Sequence, residues 1–266
     1  MKLIEVPPRE GLVWVRRGFQ VFLRQPFGFA SLFAACALVF LVLLRVPYVG
    51  EPILLVVAPV GSLLFMIATR LGAAGQRPVP GAFVELATAD RARRIRLLQL
   101  GIAYLVAAFI AIGLVAAVEG DTSGPLAEVS GDASSTTDTA ATELTDPRVQ
   151  AGFLLRLGLG ALLSIPFWHA PGLVWWGAQG WARALFFSTL AIWRNLGAFA
   201  VYGLAWAGLG VAFAMALGIV VGLAGPLSAT YVATPLVLAF TTVLYASLWF
   251  TFAGCFADDD PPAVVE

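Results

Sequence analysis

Residues 196–223 read LGAFAVYGLAWAGLGVAFAMALGIVVGL, a run without a single charged side chain. About 20 apolar helical residues cross a bilayer core about 30 Å thick, because each residue rises about 1.5 Å along the helix axis. Lipid offers backbone groups no hydrogen-bond partner, so a segment of this kind must be helical. This stretch alone predicts an integral membrane protein.

The composition of the whole chain supports this interpretation. Of 266 residues, 60% are hydrophobic and 12% are charged, and the mean hydropathy is +0.88. Soluble domains carry about 25% charged residues. The sequence therefore excludes a water-soluble globular protein, although its formal net charge of zero, from 16 basic and 16 acidic side chains, is unremarkable.

Six segments are long and apolar enough to span a membrane, which predicts an all-α fold: a polytopic bundle of six transmembrane helices. The predicted spans are 27–44, 53–69, 97–118, 157–176, 196–223 and 231–257. They divide the chain into a cytoplasmic N-terminus with an amphipathic helix (1–26), three spans (27–118), an insert (119–148), three further spans (149–257) and a cytoplasmic tail (258–266).

The orientation is predicted from the basic residues, because cytoplasmic loops retain Lys and Arg. With both termini in the cytoplasm, only Arg45, Arg148 and Arg156 fall on the periplasmic side. The cytoplasmic side then holds the other basic residues: Lys2, Arg9, Arg16, Arg17, Arg24, Arg70, Arg77, Arg91, Arg93, Arg94, Arg96, Arg183 and Arg194. We therefore expect a membrane protein with cytoplasmic N and C termini.

The insert is the longest hydrophilic segment. Residues 119–147 contain seven acidic side chains, no basic one and no aromatic one. Such a segment cannot bury enough apolar surface to fold. We expect a disordered acidic loop in the periplasm.

Three amphipathic segments precede outward spans. Residues 11–25 read GLVWVRRGFQVFLRQ, which predicts an interfacial helix with Leu12, Val15, Phe19, Phe22 and Leu23 in the acyl boundary. Similar interfacial helices are expected at 80–90 and 181–193. Each interfacial helix is followed by an outward span and then by a return span that contains a proline. This repeated order predicts a three-fold internal repeat.

Several motifs resemble a family of uncharacterised multi-pass inner-membrane proteins from β-proteobacteria. The N-terminal motif is Pro8, Gly11, Leu12, Trp14, Val15, Arg16, Gly18, Phe19, Phe22, Arg24, Gln25 and Pro26. The later motifs are Ala170-Pro171, Ala184-Leu185-Phe186-Phe187-Ser188, Arg194-Asn195 and Tyr202-Gly203. The resemblance implies membrane location and bacterial source, and it supplies no functional residue.

His169 is the only histidine and lies inside the fourth predicted span, between Pro166 and Pro171. Ionisable groups at that depth are candidates for function, and each proline leaves a carbonyl without its helical donor. These three residues form a candidate intramembrane polar site. The alternative is a neutral histidine that donates to a backbone carbonyl or reaches the interface.

Two further sets of residues are candidates for binding. The first is a set of arginines expected to contact anionic headgroups: Arg16, Arg17, Arg24, Arg91, Arg93, Arg94 and Arg194. The second, Gly210, Ala214, Gly218 and Gly222, recurs every four residues and predicts close helix packing. That packing is expected within the subunit, with pairing of two subunits as the alternative.

For function, the sequence favours a non-enzymatic protein that organises lipid or protein partners. We expect no catalytic residue, cofactor, metal site or nucleic-acid partner, because none of the usual catalytic or nucleotide-binding motifs is present. The expected partners are anionic membrane lipids, with protein partners or a homo-oligomer. The alternative is a small-solute transporter or channel built from three two-span repeats.

Overall fold

The structure is a computed structural model, and it describes residues 1–119 and 147–257. The predictions of a disordered acidic loop and of a cytoplasmic tail fall on residues 120–146 and 258–266, outside these ranges. The described chain contains nine helices and two strands of two residues each. The helices are α1 (Glu10–Arg24), α2 (Pro26–Leu44), α3 (Gly50–Ala73), α4 (Pro78–Ala87), α5 (Arg91–Glu119), α6 (Pro147–Phe167), α7 (Ala170–Trp175), α8 (Trp181–Arg194) and α9 (Leu196–Cys255).

Six helical segments are long and apolar enough to cross a membrane, which confirms the predicted fold class. The segments are Pro26–Leu44, Gly50–Ala73, Arg91–Ala117, Leu154–Trp175, Leu196–Leu223 and Tyr231–Cys255. They are close to the predicted spans. The third begins earlier, at Arg91, because the helix continues through the basic segment before the apolar run.

Helix α9 contains the last two spans and doubles back on itself. A straight helix rises about 1.5 Å per residue, which would place Tyr202 and Ser247 more than about 60 Å apart. Instead their hydroxyl oxygens are 2.6 Å apart, and the rings of Phe213 and Phe240 stack with their centroids at 4.6 Å. The two halves of α9 therefore form an antiparallel hairpin.

The two ends of the described chain meet. Strand β1 (Lys2–Leu3) pairs antiparallel with β2 (Phe256–Ala257), with Leu3 opposite Phe256. The amide of Ile4 also donates to the carbonyl of Cys255 at 2.9 Å. Both ends therefore lie at one end of the bundle, as six spans require.

The closest packing is at that same end. The largest fully buried side chains include Trp14, Trp175, Phe29 and Phe252. In the outer part of α9, by contrast, Leu223 is 85% exposed. Because apolar side chains that are exposed on a spanning helix face lipid, the bundle has one tightly packed end and one end that contacts mainly bilayer.

The three-fold repeat stays a prediction. Helices α1, α4 and α8 do precede the spans α2, α5 and the first half of α9. They differ in length, however, at 15, 10 and 14 residues. They also pack differently, since α1 lies mainly on α9, α4 on α3, and α8 on α6 and α7.

Candidate functional site

Helix α1 lies against both halves of α9. A Cβ added at Gly11 would be 2.3 Å from the carbonyl oxygen of Ala198, and one at Gly18 would be 2.8 Å from the Cβ of Ser247. Real Cβ atoms do not approach so closely, so these two glycines permit the contact. Between them, Trp14 is only 1% exposed. Helix α1 is thus fixed to the bundle by its glycine and tryptophan face.

The apolar stripe predicted for α1 divides between two surroundings. Leu12 and Leu23 are 56% and 69% exposed, as side chains in the acyl boundary would be, whereas Val15 is buried against the protein. The buried face is instead centred on Gly11, Trp14 and Gly18. Hydrophobicity alone could not locate this face, because glycine permits the closest helix contact without contributing an apolar side chain.

The arginines of α1 lie on the side away from α9. Arg16, Arg17 and Arg24 are all exposed. None of them forms an ion pair with any residue in 1–119 or 147–257. Their guanidinium groups are therefore not neutralised by any carboxylate that the structure describes.

A second basic cluster lies where α3 ends and α5 begins. The Nη2 of Arg70 is 2.6 Å from Oε2 of Glu85, and Oε1 of the same carboxylate accepts from Nε1 of Trp175 at 3.0 Å. The guanidinium of Arg93 lies 5.6 Å from the ring centroid of Trp175, within range of a cation–π interaction. Glu85 thereby connects α4 to both α3 and α7. The sequence does not indicate this role, because Trp175 lies 90 residues away from Glu85 along the chain.

Asp90 caps the N-terminus of α5. Its Oδ1 accepts from the backbone N–H of Arg93 at 2.7 Å, and Oδ2 is 3.4 Å from the Nε of the same residue. This backbone hydrogen bond, followed by the nearby positive charge, lowers the pKa of Asp90. The basic turn of α5 therefore begins at a fixed position, with Arg91 and Arg94 exposed.

Asn195 links α8 to the N-terminal segment. Its Oδ1 accepts from the amide of Val6 at 2.8 Å, and its Nδ2 donates to the carbonyls of Ile4 and Ala191, each at 3.0 Å. Beside it, Arg194 is 3.7 Å from Glu5. Asn195 matched the family motif, but nothing in the sequence indicated that its partner lies 189 residues away.

His169 lies at the break between α6 and α7 and is completely buried. Its Nε2 is 3.3 Å from the hydroxyl of Thr251, which donates its own hydrogen to Leu248 and accepts from Nε1 of Trp168. Nε2 must therefore carry a proton in this hydrogen bond. Its Nδ1 has no hydrogen-bond partner among the described residues.

The surroundings of His169 favour the structural alternative. The rings of Phe199, Phe252 and Phe256 lie with their centroids 5.5 to 6.1 Å from the imidazole. The backbone amide of His169 donates to Ser188, whose hydroxyl donates to the carbonyl of Ile165. Pro166 and Pro171 thus flank a helix break at which the backbone amide of His169 is satisfied, and the partner of the imidazole Nε2 is a hydroxyl, where the alternative expected a backbone carbonyl.

A cavity of about 260 Å³ lies beside this break, among α3, α5, α6 and the second half of α9. Pro59, Tyr104, Phe167, Trp168 and Tyr245 are among its lining residues, and His169 is not. The other lining residues are Ala58, Ser62, Ser164, Leu244 and Leu248. None of the lining side chains is charged.

The stripe of small residues on α9 does not pack within the described chain. A Cβ added at Gly210, Gly218 or Gly222 would find no described atom within 4 Å, and Ala214 is exposed. The described residues therefore provide no partner for the packing that was predicted on this face. The first half of α9 makes its protein contacts through the face that includes Tyr202 and Trp206 instead.

The described residues also contain no group of three or more His, Cys, Asp or Glu side chains that could hold a metal ion. Together, the fold and these sites define an integral membrane protein whose densely packed end presents arginines.

Comparisons with known proteins agree with this class. A protein of Burkholderia thailandensis, named as a probable inner membrane protein, is 33% identical to this chain over 271 residues, covering 99% of the chain and 97% of that protein. The chain belongs to the same family, one of uncharacterised multi-pass inner-membrane proteins of β-proteobacteria. No family model matches the sequence. No solved structure matches it either.

Proposed function

We propose that this inner-membrane protein is a non-enzymatic organiser that binds anionic lipid headgroups at one basic face. Partner proteins bind at the same face, either directly or through these lipids. We define the basic face as the arginines Arg16, Arg17, Arg24, Arg91, Arg93, Arg94 and Arg194. The observation that supports it most is the fixed position of α1, whose buried Gly11, Trp14 and Gly18 leave three arginines exposed, with no ion pair to any residue in 1–119 or 147–257.

Electrostatics favours lipid as the ligand of this face. A basic residue near an anionic membrane surface contributes about 1 kcal/mol of attraction. The three arginines of α1 therefore supply about 3 kcal/mol, before any contribution from α5. Arg93 and Arg194 have carboxylate neighbours within the chain, Asp90 and Glu5. We expect these two to contribute less than the arginines of α1.

The proposed orientation places the basic face in the cytoplasm. Retention of Lys and Arg on the cytoplasmic side is the supporting rule, and the two ends of the described chain lie at one end of the bundle. The opposite ends of the spans, which carry few charges, then contact the outer leaflet.

The test is the lipid that the protein retains on purification. Wild type and an Arg16→Gln, Arg17→Gln, Arg24→Gln variant are extracted in mild detergent, and bound phosphatidylglycerol and cardiolipin are counted by native mass spectrometry. We expect the variant to lose most of the anionic lipid. The matched control is Arg45→Gln, an exposed arginine after α2, and it should retain the wild-type amount.

Equal lipid retention by the triple variant and the wild type would refute the proposed role of α1. The proposal also expects no saturable solute flux in reconstituted vesicles. The cavity among α3, α5, α6 and α9 is the one observation that favours the alternative, a small-solute transporter or channel. Saturable flux of a solute would decide for that alternative.

A further inference from the structure

The cavity beside the α6–α7 break has an unusual lining for the interior of a spanning bundle. Pro59 on α3 removes a backbone donor at one wall. Phe167 and Trp168, just after the proline of α6, also line the cavity. The cavity therefore lies beside a proline in each of two helices, where the regular helix hydrogen bonding is interrupted.

Two tyrosine hydroxyls at this cavity have no hydrogen-bond partner among the described residues. Tyr104 on α5 makes an edge-to-face contact with Phe167, with ring centroids at 5.0 Å, and Tyr245 lies 5.1 Å from Phe65. Neither hydroxyl forms a hydrogen bond with any residue that the structure describes, whereas the buried hydroxyl of Tyr202 does. A tyrosine at membrane depth ordinarily satisfies its hydroxyl. These two are therefore donors without an acceptor.

The serine hydroxyls at the cavity have already donated their hydrogens. Ser62 donates to the carbonyl of Pro59, and Ser164 donates to that of Ala161. The free donors that line the cavity are therefore the two tyrosines, and a complementary ligand must supply acceptors. Because no charged side chain lines the cavity, that ligand is neutral.

We propose that this cavity binds the head of a neutral, membrane-soluble quinone, with its carbonyl oxygens accepting from Tyr104 and Tyr245. The volume of about 260 Å³ suits one substituted ring, and it is below the range of about 300–1,000 Å³ that encloses a whole drug-sized ligand. The apolar tail must therefore extend into the bilayer. Ala58 and Tyr245 are exposed at the edge of the cavity and mark its exit.

The test uses decylubiquinone as the probe and the full chain in lipid nanodiscs. Binding is measured by equilibrium titration, with decylbenzene as a ligand of similar shape that lacks the carbonyls. We expect saturable binding of one decylubiquinone per chain and weaker binding of decylbenzene. Tyr104→Phe and Tyr245→Phe each remove one neutral hydrogen bond, which corresponds to about a two- to tenfold loss of affinity.

The matched control is Tyr231→Phe, an exposed tyrosine at the start of the last span, and it should bind as the wild type does. Ser164→Leu fills the cavity and should abolish binding without removing a donor. Absence of saturable decylubiquinone binding to the wild type would overturn the proposal. The proposal would also be overturned if Tyr104→Phe, Tyr245→Phe and Ser164→Leu all bound decylubiquinone as the wild type does, because such binding would show only partition into the nanodisc. Neither result bears on the arginine test, which measures anionic lipid at the basic face.

Discussion

Replacing Asn195 should release the N-terminal segment from the bundle. The side chain is 2% exposed, and two of its three hydrogen bonds cross to that segment, at the amide of Val6 and the carbonyl of Ile4. The third stays within α8, at Ala191. Since one such bond contributes about 1 kcal/mol, Asn195→Ala should remove about 2 kcal/mol of local stability. This loss corresponds to about a 30-fold change in the opening equilibrium.

Hydrogen–deuterium exchange of the purified chain in nanodiscs measures this equilibrium directly. We expect the peptide that contains Ile4 and Val6 to exchange about 30-fold faster in Asn195→Ala. Asn195→Asp keeps the acceptor for Val6 but loses the donor to Ile4, so it should have an intermediate effect. Exchange in the core around Ala246 should not change, because Ala246 is fully buried in the second half of α9 and none of the side-chain hydrogen bonds of Asn195 reaches it.

The matched control is Thr189→Ala, which removes an exposed hydroxyl that bonds within the same helix, to Leu185. It should leave the exchange of the N-terminal segment unchanged. An increase of less than about threefold in Asn195→Ala, in a chain whose core stays protected, would refute the reasoning. It would mean that the pairing of β1 with β2 holds the segment without Asn195.

Three further predictions concern packing, charge and pH. Gly11→Ala should lower the melting temperature markedly, because the added Cβ meets the backbone of α9. Gly210→Ala has open space around the added Cβ and should be neutral or slightly stabilising. Thermal unfolding in detergent compares the two variants. Glu85→Gln keeps an acceptor for Trp175 and should destabilise less than Glu85→Ala, measured in the same way. The lowered pKa of Asp90 means that its capping contribution is complete above the ordinary carboxyl pKa of about 3.9 and is lost as pH falls through the folded-state value. An acid titration of stability should therefore show this loss in the wild type and not in Asp90→Asn.

The spans could be predicted from sequence because hydropathy over about 20 residues is a property of each segment alone. Helix α1 could be predicted because the spacing of its arginines is likewise a property of that segment alone. Its buried face could not, since a lipid-facing stripe and a protein-facing stripe are both apolar. Leu23 contributes as much hydrophobicity as Val15, yet only Val15 is buried.

The candidate sites were less predictable, because their partners are distant in sequence. His169 was identified from its chemistry, but its environment depends on Ser188 and Thr251, which are ordinary hydroxyl residues in apolar helices. The same holds for Glu85, whose importance comes from Arg70 and Trp175. The cavity required a packing defect beside two prolines, and neither its volume nor its unpaired tyrosines could be inferred from a linear pattern.

The pairing of β1 with β2 has a consequence for biosynthesis. Lys2 and Leu3 are synthesised before the spans, whereas their partners Phe256 and Ala257 are synthesised after all six. Strand β1 therefore has no pairing strand until the last span has been made. Only a chain that has been translated as far as residue 257 can form this pairing, so the contact reports that all six spans are present.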